Sequence, residues 1–224
     1  MNAITDIKAV LFDLDGTLLD TLTDLADSMN AVLANLGLPV HSRDAYRYFV
    51  GDGLEILAQR VLPEERRTES LIQRCAEEMR ARYQEHWADK SEPYQGIPEL
   101  LNSLARRDLS LNILSNKPDE FTRLMIKHFL PNWQWSQVRG ARPDTPKKPD
   151  PSGALAVAEQ LGLAPRQFLY LGDTNTDMRT AIAAGMYPIG VLWGFRTRQE
   201  LEESGARTVL HHPLDLLKLF SVTF

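Results

Sequence analysis

Ala9-Val10-Leu11-Phe12-Asp13-Leu14-Asp15-Gly16-Thr17 is the stretch that decides the fold. Its four leading apolar residues read as a strand buried on both faces, the kind that fills the middle of a parallel sheet. Two aspartates separated by one leucine follow, and Gly16 lets the backbone turn away sharply. At ordinary residue usage, Asp-x-Asp-Gly-Thr arises by chance in roughly one chain in a few hundred. Open parallel sheets bind their ligands at the carboxyl ends of strands, which is where this string falls. On an extended chain Asp13 and Asp15 share a face about 6.6 Å apart. A tetrahedral phosphoryl group fits between them, one carboxylate attacking and the other on the leaving-group side. Taken alone, the segment also reads as an acidic turn capping the next helix.

Working outward, strand and helix alternate. Apolar runs over residues 109–114, 168–171 and 188–192 read as further buried strands. Helical patterns start at Gly96-Ile97-Pro98 and run to about Arg107, then from Asp150-Pro151 to Gly162, then from Asp177 to Ala184 with Gly185 behind it. This rhythm predicts an α/β fold, a doubly wound, Rossmann-like parallel sheet covered on both faces. Residues 21–93 break the rhythm, with helical periodicity over 22–36, 54–62 and 65–87 and no convincing strand. They predict a helical subdomain (20–93) inserted into a core made of 1–19 and 94–224, with hinges at Leu18-Leu19-Asp20 and Ser91-Glu92-Pro93. The longest irregular stretch expected is 131–151, which holds Trp133, Trp135 and Lys147-Lys148.

The chain has 224 residues, 43% hydrophobic and 25% charged, with a net charge of −5. Such a composition excludes a fibre, a disordered chain and a disulfide scaffold, and offers no basic field for nucleic acid. Cys75 is the single cysteine and lies among helix formers, where an inert role is expected. Met1 to Asp6 lacks the basic start and apolar core of a leader, and no apolar run reaches the ~18 residues of a membrane helix. A cytoplasmic location, no membrane partner, and a monomer or homodimer are the expectations.

A second acidic cluster, Gly172-Asp173-Thr174-Asn175-Thr176-Asp177, follows the strand at 168–171. Two carboxylates repel a phosphate unless a cation intervenes, and hard oxygen ligands beside a phosphate point to Mg²⁺. Ser115-Asn116-Lys117 adds a hydroxyl, an amide and an ammonium after another strand, and Lys147-Lys148-Pro149-Asp150-Pro151 adds cations before a stiff turn. All four segments converge on one rim if the sheet forms as read.

In this order the motifs resemble the haloacid dehalogenase-like hydrolase superfamily, from Phe12 to about Leu217. The helical insert resembles that superfamily's mobile cap. Leu18-Leu19-Asp20-Thr21, Val50-Gly51-Asp52-Gly53 and the run from Pro93 to Leu101 are similar to phosphoglycolate phosphatases. The resemblance implies that Asp13 is a nucleophile forming an aspartyl-phosphate and that Asp15 protonates the leaving alcohol and then activates water. It implies Mg²⁺ held by the Asp13 carboxylate, the Asp15 backbone carbonyl and Asp173, with Asp177 in support. Ser115 and Asn116 would hold phosphate oxygens, and Lys148 would stabilise charge on the transferred group. Acting as an acid near neutrality requires Asp15 to be protonated, through cap closure and the other carboxylates nearby.

The implied activity is Mg²⁺-dependent hydrolysis of a small phosphorylated metabolite, 2-phosphoglycolate first. Other small-metabolite phosphatases (sugar phosphate, N-acetylmuramate 6-phosphate, nucleotide or pyrophosphate) and a β-phosphoglucomutase-like mutase stay open, as does a non-catalytic phosphate-binding regulator. Asp15 sets the chain apart from the dehalogenating and phosphonate-cleaving branches. Gly51-Asp52-Gly53 is no dinucleotide fingerprint, and reads either as a loop between cap helices or as a substrate contact. His211-His212 reads as a solvated turn, and Trp193-Gly194-Phe195-Arg196 as core packing at the pocket's border.

Overall fold

Alternate residues of the first strand face two different cores. In the computed structural model, which describes residues 6–220, Val10 and Phe12 join one apolar cluster while Ala9 and Leu11 join another. The expected leader-free start at Met1 to Thr5 lies outside the described residues. In chain order the elements begin with β1 (Ala9–Phe12), β2 (Leu19–Asp20), α1 (Leu22–Asn35), α2 (Tyr46–Phe49), α3 (Leu54–Val61), α4 (Glu69–His86) and β3 (Glu92–Pro93). Then come α5 (Ile97–Ala105), β4 (Ser110–Pro118), α6 (Asp119–Phe129), β5 (Trp135–Ala141) and α7 (Ser152–Leu161). The chain continues through β6 (Phe168–Gly172), α8 (Asn175–Ala183), β7 (Tyr187–Val191), α9 (Arg198–Glu203) and β8 (Thr208–Leu210).

Six strands form one parallel sheet in the order β5-β4-β1-β6-β7-β8. Helices α5 and α6 cover one face through Leu100, Leu101, Leu104 and Met125; α7 and α8 cover the other through Ala154, Val157, Ala158 and Ala181. This is the doubly wound architecture the alternating pattern predicts. The chain order reverses beside β1, which puts the carboxyl end of that strand at the switch point where such sheets open a crevice.

Two readings need correction. The stretch expected to be irregular contains β5, an edge strand of the sheet. Its residues are only half-buried, so polar Ser136, Gln137 and Arg139 interrupt the apolar pattern that marked the interior strands. Helix α6 also carries no expectation above, although its apolar side (Phe121, Met125, Ile126) is well buried. Ser115-Asn116-Lys117 belongs to the last turns of β4 rather than following it, with an irregular register between Leu114 and Pro118.

Residues 22–86 hold helices and turns alone, packed around a cluster of their own that includes Leu22, Leu33, Tyr46, Leu57 and Met79. Cys75 lies inside it, and burial pushes its thiol up from the ordinary value. The expected hinges coincide with β2 and β3, which pair antiparallel through Leu19–Pro93 and Asp20–Glu92. Two short strands side by side hold the start and finish of the helical segment together. From the sheet side, Phe121 and Phe195 bury into the helical cluster. No helix among the described residues is long and apolar enough to cross a membrane.

Candidate active site

Two strand ends and one loop deliver the predicted residues to one place. Asp13 continues β1, its N–H still donating to Leu171 O at 2.9 Å. Asp173 and Asp177 follow β6, and Lys148 arrives from the loop ahead of α7. Lys148 Nζ stands 2.8 Å from Asp13 Oδ1 and 2.6 Å from Asp177 Oδ1. All four side chains are almost completely buried.

Each carboxylate is fixed by a different device. Asp177 Oδ2 accepts from Thr174 N–H at 3.1 Å and Thr174 Oγ1 at 2.6 Å, a capping arrangement that opens α8. Asp173 Oδ1 accepts from Thr17 Oγ1 at 3.0 Å, and its Oδ2 accepts from Phe195 N–H at 2.9 Å. Gly16, at φ +83°, and Gly194 give Asp173 its room: a Cβ on either would run into its side chain. The Trp193–Arg196 segment, expected mainly to pack, therefore also orients a site carboxylate through its backbone.

Asp13, Asp173 and Asp177 bring one carboxylate oxygen each within 4.8 Å of one another. Burial, and next the charge of Asp177, push Asp13 up to about 7, against the pull of Lys148. Burial, then Asp177 and Asp13, raise Asp173 well above the ordinary carboxylate value. Burial opposes the charge on Lys148, but Asp13 and Asp177 outweigh it and hold the ammonium protonated. Asp13 Oδ1 has no well-directed hydrogen bond despite its ion pair with Lys148. Three buried carboxylates against one ammonium leave an excess of negative charge on hard oxygen donors, and this donor set fits a divalent cation.

Asp15 sits apart from that cluster. Its carboxylate takes Lys117 Nζ at 3.0 and 3.3 Å and Thr21 Oγ1 at 2.7 Å. The close neighbour is thus a cation, not the carboxylates expected above. Lys117 also donates to Tyr83 Oη at 3.0 Å, and the ammonium lies 4.6 Å from the centre of that ring. Burial opposes the charge on Lys117, but Asp15 and then Tyr83 raise its affinity for a proton.

Ser115 and Asn116 both line the cavity, yet Asn116 already has partners. Its amide donates to Gly51 O at 3.1 Å and Lys148 O at 3.0 Å, and its oxygen accepts from Lys148 N–H at 2.9 Å. Asn116 thus fixes the backbone that carries Lys148 and ties it to the helical segment. Ser115 Oγ accepts from Lys117 N–H at 3.2 Å. Gly51 and Gly53 line the same cavity, whereas Asp52 turns away to Arg60 at 2.5 Å and Thr176 at 3.0 Å.

The cavity has a volume of about 50 Å³. One water needs about 10–15 Å³ on this scale, so a few waters or one small molecule fill it. Asp13, Asp15, Ser115 and Lys117 form its polar floor, and Leu25, Val50, Leu54, Leu57 and Phe121 its apolar roof. Tyr83, Thr21 and the Phe195 N–H had no assigned role in the sequence. Thr21 at least belonged to a quoted motif, whereas a single tyrosine on an amphipathic helix gives no sign of what it will meet.

A family model described as "Haloacid dehalogenase-like hydrolase" matches residues 10–191. The phosphoglycolate phosphatase of Escherichia coli (strain K12) is 29% identical over 236 residues, covering 97% of this chain and 94% of its own length. That of Pseudomonas putida is 29% identical over 206 residues, covering 91% of this chain and 76% of its own length. A solved structure from Haemophilus somnus 129pt, described as a predicted phosphoglycolate phosphatase, superposes with a TM-score of 0.89 at 27% identity. That match covers 96% of this chain and 99% of the other.

Proposed function

The chain belongs to the haloacid dehalogenase-like hydrolase family and is a phosphatase acting on a small phosphorylated substrate, and from this we propose that it hydrolyses a phosphate monoester through an aspartyl-phosphate on Asp13, with Mg²⁺ in the carboxylate cluster. The observation that carries the reading is the junction of Asp13, Lys148, Asp173 and Asp177 in one buried cluster beside a cavity that Asp15 also lines. Residues 20–93 act as the cap, since Leu25, Val50, Leu54 and Leu57 among them form most of the cavity's apolar wall.

In this mechanism Asp13 attacks phosphorus and the ester oxygen leaves toward Asp15, which gives it a proton. Asp15 then takes a proton from the water that opens the acyl phosphate, and both carboxylates return to their starting states. Lys148, 2.8 Å from Asp13 Oδ1, offsets charge on the transferred group. Lys117 and Thr21 aim the Asp15 carboxylate, and Tyr83 ties that arrangement to the cap. Mg²⁺ would be held by the carboxylates of Asp13 and Asp173 and the Asp15 carbonyl, with Asp177 in support. Its contribution is to neutralise phosphate charge and allow an anionic nucleophile to approach.

Substrate choice rests on the relatives named phosphoglycolate phosphatases and on the size of the cavity, which makes 2-phosphoglycolate the first candidate. Lys117 is the ammonium on the wall that a substrate carboxylate would meet. The apolar roof favours a second reading, the phosphate ester of an uncharged alcohol. A phosphate-release screen over phosphoglycolate, sugar phosphates, nucleotides, pyrophosphate and simple alkyl phosphates separates the two. A kcat/KM for phosphoglycolate at least tenfold above every other compound supports the first, and preference for an uncharged ester replaces it.

Two results follow from the same geometry. At a hundred times its dissociation constant, Mg²⁺ stabilises the folded chain by about 2.7 kcal/mol. That is a rise in Tm of roughly 5–10 °C for a chain of this size, readable by thermal denaturation with and without a chelator. No shift up to 20-fold excess over the concentration that saturates turnover would remove the metal from the cluster. Asp15→Asn slows hydrolysis of alkyl phosphates by about 100- to 10,000-fold, the usual worth of a general acid. Release of p-nitrophenolate, which leaves without a proton, suffers less in the step that forms the phosphoenzyme. Equal losses for both leaving groups in a phosphoenzyme burst would deny Asp15 its role as acid.

A further inference from the structure

A second cavity, larger than the catalytic one at about 200 Å³, shares Ser115 and Asn116 with it and opens on the other side of the Lys148 loop. Edge strand β5, the loop over 142–150 and Gly153 and Gln160 of α7 enclose it. Its wall carries Arg123, Arg139, Arg142, Lys147 and Lys148 against one carboxylate, Asp150.

Most of these charges are already matched. Arg123 and Arg142 share Asp119 Oδ2 at 2.8 and 2.9 Å, Lys147 meets Glu55 at 3.1 Å, and Lys148 serves Asp13 and Asp177. Asp150 is itself taken by the N–H and hydroxyl of Ser152. Arg139 is different. Its Nε is buried without any hydrogen-bond partner, and among the described residues its guanidinium has no ion pair.

A guanidinium cannot escape that situation by losing its proton, because its pKa stays above about 12. An acceptor-free buried donor is costly, and most such donors in folded proteins find one. Arg139 as a whole is half-buried and lines the cavity; among the described residues it is the wall cation without a carboxylate, and a planar fork matches two oxygens of a phosphate or carboxylate. Two further arginines that share a single carboxylate leave the surroundings positive.

We propose that this cavity is a binding site for a multivalent oxyanion, phosphate-bearing or polycarboxylate, with the Arg139 fork as its principal contact and Arg123 and Arg142 at its rim. The site adjoins the catalytic one across Asn116 and the Lys148 turn, sharing Ser115 and Asn116 with it, while Arg139 lines this cavity alone. An occupant there presses on the turn that positions Lys148, which is the placement of an effector and not of a substrate.

Binding is read by titrating pyrophosphate and, separately, citrate into the full chain in the presence of EDTA. Arg139 lines this cavity and not the catalytic one, so its substitution separates binding here from binding at the catalytic residues. One saturable site per chain is expected for at least one probe, and the tighter probe identifies phosphate or carboxylate chemistry. Arg139→Gln weakens it at least tenfold, while Tm and the Mg²⁺-supported turnover without effector stay within twofold of the parent. Absence of saturable binding of both probes up to 10 mM, or affinity unchanged by Arg139→Gln, overturns the proposal. Neither result depends on Asp13 chemistry, so this inference and the phosphatase mechanism fail separately.

Discussion

Asp13→Asn abolishes steady-state turnover, by about 10,000-fold or more, and leaves a folded protein. The size of the loss follows from the role: an amide cannot form the acyl phosphate, and removing a covalent nucleophile costs enzymes roughly four to six powers of ten. Acid-quench mass spectrometry of the parent during turnover should find one phosphoryl group on the peptide holding Asp13, and none in the variant. Stability moves the other way. Burial and Asp177 hold Asp13 at about 7 against an ordinary 3.8, so the folded chain binds a proton there that the unfolded chain has lost. Stability of the metal-free parent therefore falls as pH rises from about 4 to about 7, because over that window folding favours the protonated form. Asparagine carries no such penalty. In EDTA, the difference in Tm between pH 5 and pH 8 should be smaller for the variant than for the parent. An Asp13→Asn protein that hydrolyses phosphate esters at more than a hundredth of the parental rate removes the nucleophile from Asp13.

Lys148→Met unites the second large loss of activity with a large loss of stability. Lys148 is buried between Asp13 and Asp177 at 2.8 and 2.6 Å. Deleting one partner of a buried ion pair typically costs about 3–5 kcal/mol, because the remaining charges stay desolvated and unmatched. For a chain of this size that lowers Tm by roughly 6–20 °C. Loss of the cation that faces the transferred group slows turnover by at least about 100- to 1,000-fold. Lys147 is the internal control. It is the neighbour in sequence, but its side chain is 41% exposed and its ion pair with Glu55 is at the surface. Lys147→Met should change Tm by no more than about 2 °C, the scale of an exposed pair. Mg²⁺ at saturation should restore part of the stability of Lys148→Met, since a cation in the cluster does the electrostatic work of the lost ammonium. Equal effects of the two substitutions in thermal denaturation would show that the buried ion pair is not what holds the loop.

The interior of the fold was legible because interior strands are buried on both faces, and β1, β6 and β7 are accordingly apolar runs, while β4, also interior, is apolar at Leu111, Ile113 and Leu114 but carries buried polar residues as well. Edge strand β5 was not legible, because one side of it meets no other strand and its residues stay half exposed. The ends of the helical segment were legible through the change in periodicity at Asp20 and Pro93. Their pairing into β2 and β3 was not, since a two-residue strand has no period to read.

The candidate residues divide along the same line. Asp13, Asp15, Asp173, Asp177 and Lys148 stood out because their types and their positions after strands suited phosphate chemistry, and local sequence carries both kinds of information. Lys148, named from the resemblance, is held in the cluster by the turn and its bond to Asn116. That Asp15 faces Lys117 and Tyr83 required α4 to pass over β4, a contact between residues 34 apart. Sequence by itself determined the interior of the sheet, the helical stretch and the set of acidic and basic groups, because strand burial and strand-end chemistry are local properties. Tertiary structure alone decided the pairing of charges, the small roofed cavity and the unmatched Arg139, because electrostatic environment depends on distance through space and on what burial removes from water.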